Sequence, residues 1–234
     1  RCTSRGLGDV YKRQEEAGRK LGIPVYNVPY HQKLLGEQSE AYMGLADIHQ
    51  YHPSKDAFGE ADLVLMVGGR LDNQMNFGNP PLFPRSAELV CVNGSHEEID
   101  FNRAADVTLL CDPGAFFDAL VSLGDAARAG RDGDWFDLNR RRRVEWVAKM
   151  HADVDAEAAT PEFGGRIHPL HLALDVQDAM QDDDWLVIDG GNTHFWSEIA
   201  VNMAGSGGRK LGGVLHPGTF SPVSYTHLTL PTIA

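Results

Sequence analysis

The residues best suited to bind a ligand follow an apolar run at positions 185–188. That run stops at an acidic, glycine-rich turn with the sequence Asp189, Gly190, Gly191, Asn192 and Thr193. A strand that ends at glycines and enters a helix exposes backbone N–H groups and the positive end of the helix dipole. Glycine lets a phosphate approach the backbone closely, while the Asn192 and Thr193 side chains can add hydrogen bonds or cap the helix. The pattern predicts either an anion cradle or a plain capped turn.

Three further apolar runs also end in polar stops. Residues 61–67 precede the stop at 68–72, residues 89–92 precede 93–95, and residues 107–111 precede Asp112. Continuous apolar runs of this length are typical of parallel strands buried on both faces. Ligands of open α/β sheets bind beyond the carboxyl ends of the strands, so we expect the three stops to converge on one crevice. The alternative at each stop is an ordinary tight turn.

Metal and nucleophile motifs are a second kind of chemistry to consider. The chain has 10 histidines, but no HxxxH or HxH pattern and no Cys/His pair at ligand spacing. It also contains no GxSxG, Walker A or GxGxxG motif. We therefore predict no metal site and no catalytic triad from these residues.

The composition of the chain limits which classes of partner it can bind. The 234 residues are 42% hydrophobic and 23% charged, with a formal net charge of −12. This charge repels a phosphate backbone, so no nucleic acid is expected, and no apolar run has the length of a membrane span. Cys2, Cys91 and Cys111 form no even-numbered framework, which favours reduced thiols and a cytoplasmic location.

Strands and helices alternate along the sequence, which predicts an α/β fold. Beyond the runs above, a short strand is expected at 23–28, followed by helices at 54–60, 116–123 and 134–159. A second unit is predicted to begin near residue 167 with a helix, the 185–188 strand, a helix at 195–203 and a strand at 210–215.

The two ends of the chain have a separate origin in this interpretation. Residues 9–14 and 223–228 can be encoded by DNA strings that are reverse complements of one another, read in shifted frames. Inverted flanks of this kind resemble the adapter of a sequencing library. We therefore expect residues 1–14 and 223–234 to be adapter-derived, and the stretch between them to be an internal piece of a longer protein.

The order of motifs resembles thiamine diphosphate-dependent enzymes of the acetolactate synthase type. The resemblance is carried by 21–25, by the 61–67 strand with Gly69, Arg70 and Asp72, by 97–99 leading to Asp112, and by 186–193 followed by Trp196 and 216–219. It implies a parallel-sheet, Rossmann-like central domain over 15–124, truncated at its N-terminal side. A linker with a helix over 125–166 and the C-terminally truncated start of an α/β diphosphate-binding domain over 167–222 would follow.

The resemblance also implies cofactors and site residues. Thiamine diphosphate and Mg²⁺ would serve the full-length protein, with Gly190, Gly191, Asn192, Thr193 and Gly218 contacting the cofactor. The activating glutamate and the Gly-Asp-Gly motif that holds magnesium are not in this sequence. Catalytic residues are therefore not assigned, and the chain alone is expected to be inactive.

The central-domain ligand is left open between FAD and an adenine nucleotide. The predicted nucleotide-binding residues are Gly69, Arg70, Asn93, Ser95 and Asp112. Acetolactate synthases place Phe-Asp-Asp-Arg after their Gly-x-Arg, whereas residues 71–74 here read Leu-Asp-Asn-Gln. We therefore expect an adenine nucleotide to bind in preference to flavin.

The predicted reaction makes or breaks a carbon–carbon bond next to a carbonyl. Condensation of 2-oxo acids is the leading hypothesis. Residues 76–78 also resemble the acyl-CoA branch, so a 2-hydroxyacyl-CoA lyase or oxalyl-CoA decarboxylase is the alternative. A non-catalytic nucleotide-binding module is the alternative of another class. A small-molecule substrate, no membrane partner, and a homodimer or homotetramer are the partner predictions.

Overall fold

The computed structural model describes residues 7–28, 39–46, 51–124, 134–204 and 213–215. The described residues up to Met150 form one compact unit, and those from His151 onward form a second. The division falls within the predicted linker 125–166. The elements in chain order are α1 (Leu7–Leu21), β1 (Val25–Asn27), β2 (Tyr42–Leu45), α2 (His52–Glu60), β3 (Leu63–Val67), β4 (Glu88–Asn93), β5 (Val107–Leu110), α3 (Pro113–Ser122), α4 (Asp134–Ala158), α5 (Pro169–Ala179), β6 (Trp185–Val187), α6 (Asn192–Ala204) and β7 (Gly213–Leu215).

Among the described residues, the first unit contains two parallel sheets. One is the β1-β2 pair, and the other has the order β3-β4-β5. In the larger sheet Leu63 lies opposite Glu88 and Val90 lies opposite Val107. Because all pairings are parallel, the carboxyl ends of β3, β4 and β5 lie at the same edge. The predicted α/β class with parallel strands is confirmed.

Aromatic and aliphatic side chains on one side of this sheet form its main core. Phe58 of α2 stacks on Phe83 with ring centroids 5.2 Å apart, and Tyr26 meets Phe58 edge-on at the same distance. The remaining buried members of the core are Ala46, Met66, Leu71, Met75, Leu82 and Leu89. This core ties β3 and β4 to α2 and to the segment after β3, so it fixes where the ends of those strands lie.

The expectation of buried strands is not met along whole runs: β3 is fully buried only at Met66, Trp185 and Val187 of β6 are exposed, and the expectation is wrong for β5. Its side chains are all exposed, including Val107 at 48%, Leu109 at 39% and Leu110 at 58%. In the part of the chain that the structure describes, β5 is an edge strand. The connection from β4 to β5 contains only a short 3-10 turn, His96–Glu98, instead of a crossover helix that would cover the strand.

Helix α3 begins three residues before the predicted start at 116. The Asp112 carboxylate accepts a hydrogen bond from the Ala115 backbone N–H at 2.9 Å, and Pro113 occupies the first turn. A carboxylate cap followed by proline is a favourable way to begin a helix, because the cap satisfies a free N–H and proline lacks one. Helix α3 packs against α1, where Arg13 forms an ion pair with Asp118.

The first part of α4 packs onto the first unit through buried polar and aromatic contacts. Asn139 is fully buried, and its Oδ1 accepts a hydrogen bond from the Tyr26 hydroxyl at 2.9 Å. The Trp146 ring lies edge-on to Tyr51 with centroids 4.8 Å apart. Residues 134–150, although predicted as linker helix, therefore contribute to the core of the first unit.

Among the described residues, the second unit contains the C-terminal part of α4, helices α5 and α6, and a parallel strand pair. Helices α5 and α6 pack on each other, and β6 pairs with β7 with Trp185 opposite Gly213. His168 caps α5, since its Nδ1 accepts a hydrogen bond from the Leu170 backbone N–H at 3.1 Å. The buried His168 ring also lies edge-on to Trp196 of α6, with centroids 5.0 Å apart. These contacts fix the helix that follows the predicted anion cradle.

Candidate functional site

The carboxyl edge of the β3-β4-β5 sheet brings the predicted nucleotide-binding residues of the first unit into neighbouring positions. Gly68 directly follows β3; its φ of +71° favours glycine, and its N–H donates to the Val92 carbonyl at 2.8 Å. This turn redirects the chain so that Gly69 and Arg70 pass beside the end of β4.

Asn93 links this turn to the one after β4. Its buried side chain donates from Nδ2 to the Gly69 carbonyl at 3.5 Å, and its Oδ1 accepts from the Ser95 N–H at 3.0 Å. The structure therefore brings Gly69, Asn93 and Ser95 together as the sequence predicts. The amide of Asn93 makes one contact as a donor and one as an acceptor, which a carboxylate could not do in its ionised form.

Asp112 lies at the same edge, beyond β5, but its carboxylate has a structural partner. Oδ1 holds the first turn of α3 through the Ala115 N–H. A cap of this kind stabilises a helix by about 1 kcal/mol. Any contact between Asp112 and a ligand would have to coexist with this hydrogen bond.

The Arg70 side chain already has two partners in this structure. Its guanidinium forms an ion pair with Glu98, and its Cζ lies 5.1 Å from the centre of the Phe101 ring. The hollow beside it encloses about 10 Å³ and is lined by Gly69 and Arg70 but not by Asn93 or Ser95. Sites for small molecules typically measure about 300 Å³ or more, so a nucleotide needs the residues around Arg70 to move.

Glu98 and Phe101 are contacts that the sequence prediction missed as site residues. Both lie on the connection between β4 and β5, which leaves the sheet at its carboxyl edge. The signal that could have identified them is that any residue on such a connection lies near the strand stops. Their partner Arg70 is 28 residues away from Glu98 in sequence, so no local pattern specifies the pairing.

The second unit carries the glycine turn between β6 and α6. The Gly190 N–H donates to the Asp189 Oδ1 at 2.7 Å, and Gly191 has a φ of +78° with no atom within 4 Å of the position that a Cβ would take. Asn192 and Thr193 are exposed in the first turn of α6. The space at Gly191 is open at the positive end of a 13-residue helix, an arrangement that can accept an anion.

The fifth residue predicted for the diphosphate site, Gly218, lies outside the described residues. β7 ends at Leu215, opposite Val187 of β6, and the pairing is parallel. The carboxyl end of β7 is therefore at the same edge as the glycine turn after β6. Among the described residues the structure shows no group of three or more His, Cys, Asp or Glu side chains arranged to hold a metal ion.

Behind the glycine turn, α6 contains a buried pair of titratable side chains. His194 Nε2 lies 2.9 Å from Glu198 Oε1, one helical turn apart, and both side chains are largely buried. The His194 backbone N–H donates to the Gly191 carbonyl at 3.2 Å. This contact ties the turn to the helix and keeps Gly191 in its left-handed conformation.

Comparison with known proteins gives the following relatives. Residues 9–120 match the family model described as "Thiamine pyrophosphate enzyme, central domain". The chain is 23% identical over 200 residues to a 2-hydroxyacyl-CoA lyase of Arabidopsis thaliana, an alignment that covers 80% of this chain and 32% of the relative. It is 26% identical over 178 residues to an acetolactate synthase large subunit of Parasynechococcus marenigrum, covering 74% of this chain and 27% of the relative.

A third relative is 2-hydroxyacyl-CoA lyase 1 of Mus musculus, 22% identical over 194 residues, which cover 80% of this chain and 31% of that protein. The chain thus spans between about a quarter and a third of the length of these three relatives. Within the part of the chain that the structure describes, no helix combines the length and apolar character needed to cross a bilayer.

Proposed function

We propose that this chain is part of a thiamine pyrophosphate enzyme, and that the enzyme makes or breaks a carbon–carbon bond next to a carbonyl. The observation that carries the proposal is the joint presence of two features on one chain. One is a first unit that matches the family's central domain, and the other is a second unit whose strand β6 ends in a glycine turn opening α6. A nucleotide-binding module without catalysis would have no need for the second unit.

Thiamine diphosphate is the proposed cofactor, and when bound it supplies an electron sink for a carbanion next to the carbonyl. The chain's own contribution is to hold the diphosphate. Gly190 and Gly191 let the anion approach the backbone, and the N–H groups at Asn192 and Thr193 face it with the positive end of α6. We place the Mg²⁺ ligands and the proton-transferring residues in parts of the longer protein beyond residues 15–222.

Two substrate classes are compatible with the relatives. Condensation of 2-oxo acids is our first candidate, which the similarity to an acetolactate synthase large subunit supports. Cleavage of 2-hydroxyacyl-CoA is the second candidate, which the similarity to two 2-hydroxyacyl-CoA lyases supports. In either case the substrate is a small molecule, and the reaction either adds a carbanion to a carbonyl group or releases one next to it.

An adenine nucleotide is the proposed ligand of the first unit. Arg70 offers a planar cation that matches phosphate geometry, and it lies beside the end of β4. In the neighbouring turn, Asn93 donates to the Gly69 carbonyl and accepts from the Ser95 N–H. The proposal also includes a cytoplasmic location, in keeping with the free thiols of Cys91 and Cys111, and a homodimer or homotetramer.

The experiment begins with the source DNA. Amplification outward from the central stretch should replace residues 1–14 and 223–234 with new sequence and extend the reading frame on both sides. The longer protein, supplied with thiamine diphosphate and Mg²⁺, is then assayed with pyruvate and separately with a 2-hydroxyacyl-CoA. Consumption of either substrate supports the proposal and selects between the two candidates, whereas a longer protein that consumes neither and binds no thiamine diphosphate overturns it.

A matched pair of glycine variants tests the diphosphate cradle in that longer protein. Gly191→Val would fill the open space before α6, and we expect it to weaken thiamine diphosphate binding by at least about tenfold. Gly165→Val is the control, because Gly165 has a similar φ of +71° and equally open surroundings away from α6. Equal binding losses in both variants would assign the effect to backbone strain and contradict the cradle.

A further inference from the structure

Arg70, the cation that would bind a nucleotide phosphate, forms an ion pair with Glu98. The Arg70 side chain is 45% exposed and that of Glu98 is 30% exposed, so the pair is in contact with water. Phe101 lies against the guanidinium and keeps it beside the strand ends. In this arrangement the positive charge of Arg70 is neutralised from within the chain.

The connection that carries Glu98 has a firmly held part and a weakly held part. The held part contains Asp100, Asn102 and Arg103. The Asp100 Oδ1 accepts from the Ala105 N–H at 2.8 Å, and Asn102 donates to the Leu71 carbonyl, also at 2.8 Å. Arg103 donates to the carbonyls of Gly78, Pro84 and Ala87. These contacts fix the connection to the loop after β3.

The weakly held part is the turn that presents Glu98 itself. Its two backbone hydrogen bonds, from Glu98 to Ser95 and from Ile99 to His96, are both 3.3 Å long. The side chains of His96 and Glu97 are exposed. Bonds of this length are weak. Glu98 can therefore leave Arg70 by a local change in the turn.

We propose that Glu98 competes with ligand phosphate for Arg70, and so sets the affinity and the charge selectivity of the nucleotide site. The inference rests on the adenine nucleotide site of the proposed function. A phosphate can accept two parallel hydrogen bonds from a guanidinium and carries more negative charge than one carboxylate. An exposed ion pair contributes little stability, so a bound phosphate can displace Glu98 and push it toward solvent.

This competition has a consequence that depends on the ligand. A nucleotide must break the Arg70–Glu98 pair before its phosphate binds, so part of its binding free energy is lost. A nucleoside without phosphate leaves the pair intact and loses nothing. Removing the charge of Glu98 should therefore favour phosphorylated ligands alone.

The test is calorimetric titration of the longer protein with ADP and, separately, with adenosine. Glu98→Gln keeps the size of the side chain but removes its charge, and we expect it to tighten ADP binding by about fivefold, the range set by an exposed ion pair. Adenosine binding should be the same as in the wild-type chain. Glu97→Gln is the matched control, because it changes the net charge equally at the neighbouring exposed position. In an Arg70→Gln background, the Glu98→Gln change should have no further effect on ADP.

Each outcome decides a different point. ADP binding that is tightened by Glu98→Gln only, with adenosine unchanged, supports the competition. Equal ADP affinity in the wild-type chain and Glu98→Gln overturns the competition and leaves the nucleotide site standing. Equal gains from Glu97→Gln and Glu98→Gln also overturn it, since they indicate a general charge effect. A wild-type chain and variants that all fail to bind ADP at millimolar concentration overturn the nucleotide site, and this inference with it.

Discussion

Replacing Asn139 with leucine should lower the free energy of unfolding of the first unit by about 2 kcal/mol, because a buried polar partner then loses its hydrogen bond. Asn139 is fully buried on α4, where its Oδ1 accepts from the Tyr26 hydroxyl at 2.9 Å and its Nδ2 donates to the Trp135 carbonyl at 2.8 Å. Leucine fills similar space but can make neither contact. The Tyr26 hydroxyl would lose its acceptor, while the Tyr26 ring would stay packed against Phe58.

The magnitude follows from which groups are left without partners. An unpaired buried hydroxyl costs about 1–3 kcal/mol, and Tyr26→Phe should cost a similar amount because it leaves the Asn139 oxygen unpaired. Removing both partners leaves neither group unpaired. The double variant should therefore be less destabilised than the sum of the single variants by about 1 kcal/mol or more. Burial raises the pKa of Tyr26, so its hydroxyl keeps its proton and remains the donor at neutral and mildly alkaline pH.

Urea unfolding followed by tryptophan fluorescence measures this energy. Trp135 and Trp146 flank Asn139 on α4, and replacing Trp185 and Trp196 with phenylalanine in every variant confines the signal to the first unit. With a slope of about 1–3 kcal/mol per molar urea, a 2 kcal/mol loss moves the midpoint by about 1 M. Asn73→Leu, at an exposed position of the same unit, is the control and should change stability by less than about 0.5 kcal/mol.

Additive losses in the double variant would refute the reasoning. They would mean that Tyr26 and Asn139 do not depend on each other for their hydrogen bonds. A midpoint unchanged in Asn139→Leu would refute it as well, since α4 would then contribute nothing to the first unit through this contact.

Three further predictions concern buried groups and the isolated chain. Burial raises the pKa of the Cys91 thiol above its ordinary 9.0, so the protonated thiol stabilises the fold up to about that pH, and this stability is lost as the pH rises further. Denaturant midpoints measured between pH 8 and 10 should therefore fall in the wild-type chain and should not fall in Cys91→Ala. Gly44→Ala should destabilise the first unit by more than about 3 kcal/mol, because the new Cβ would lie 2.5 Å from the Tyr51 ring. Gly22→Ala, whose Cβ would have no atom within 4 Å, should lower the free energy of unfolding by about 1 kcal/mol, and calorimetry measures both. The 234-residue chain alone should consume no pyruvate above the free-cofactor background and bind thiamine diphosphate no better than millimolar, and turnover or micromolar affinity would contradict this.

The local elements of this protein follow from its sequence. Apolar runs ending in glycine, asparagine or aspartate predict β3, β4, β5 and β6 to within about two residues, and the α/β class follows from their alternation with helices. The physical reason is local, since the pattern of apolar residues and the backbone conformation at turns are both determined by neighbouring residues. The glycine turn before α6 is predicted for the same reason, and Gly191 does adopt a positive φ.

The tertiary structure alone decides which surfaces are covered and which side chains meet. The run at β5 predicts a buried strand, yet its burial depends on whether a helix crosses over it, and the connection before it forms only a short turn. The first part of α4 joins the first unit through the contact between Asn139 and Tyr26, 113 residues apart, which no local pattern contains. Arg70 is predicted as a nucleotide-binding residue, and folding pairs it with Glu98 from the connection between β4 and β5. A contact between residues distant in sequence forms only when the chain has folded, because the free energy of that contact depends on the packing of all the elements around it.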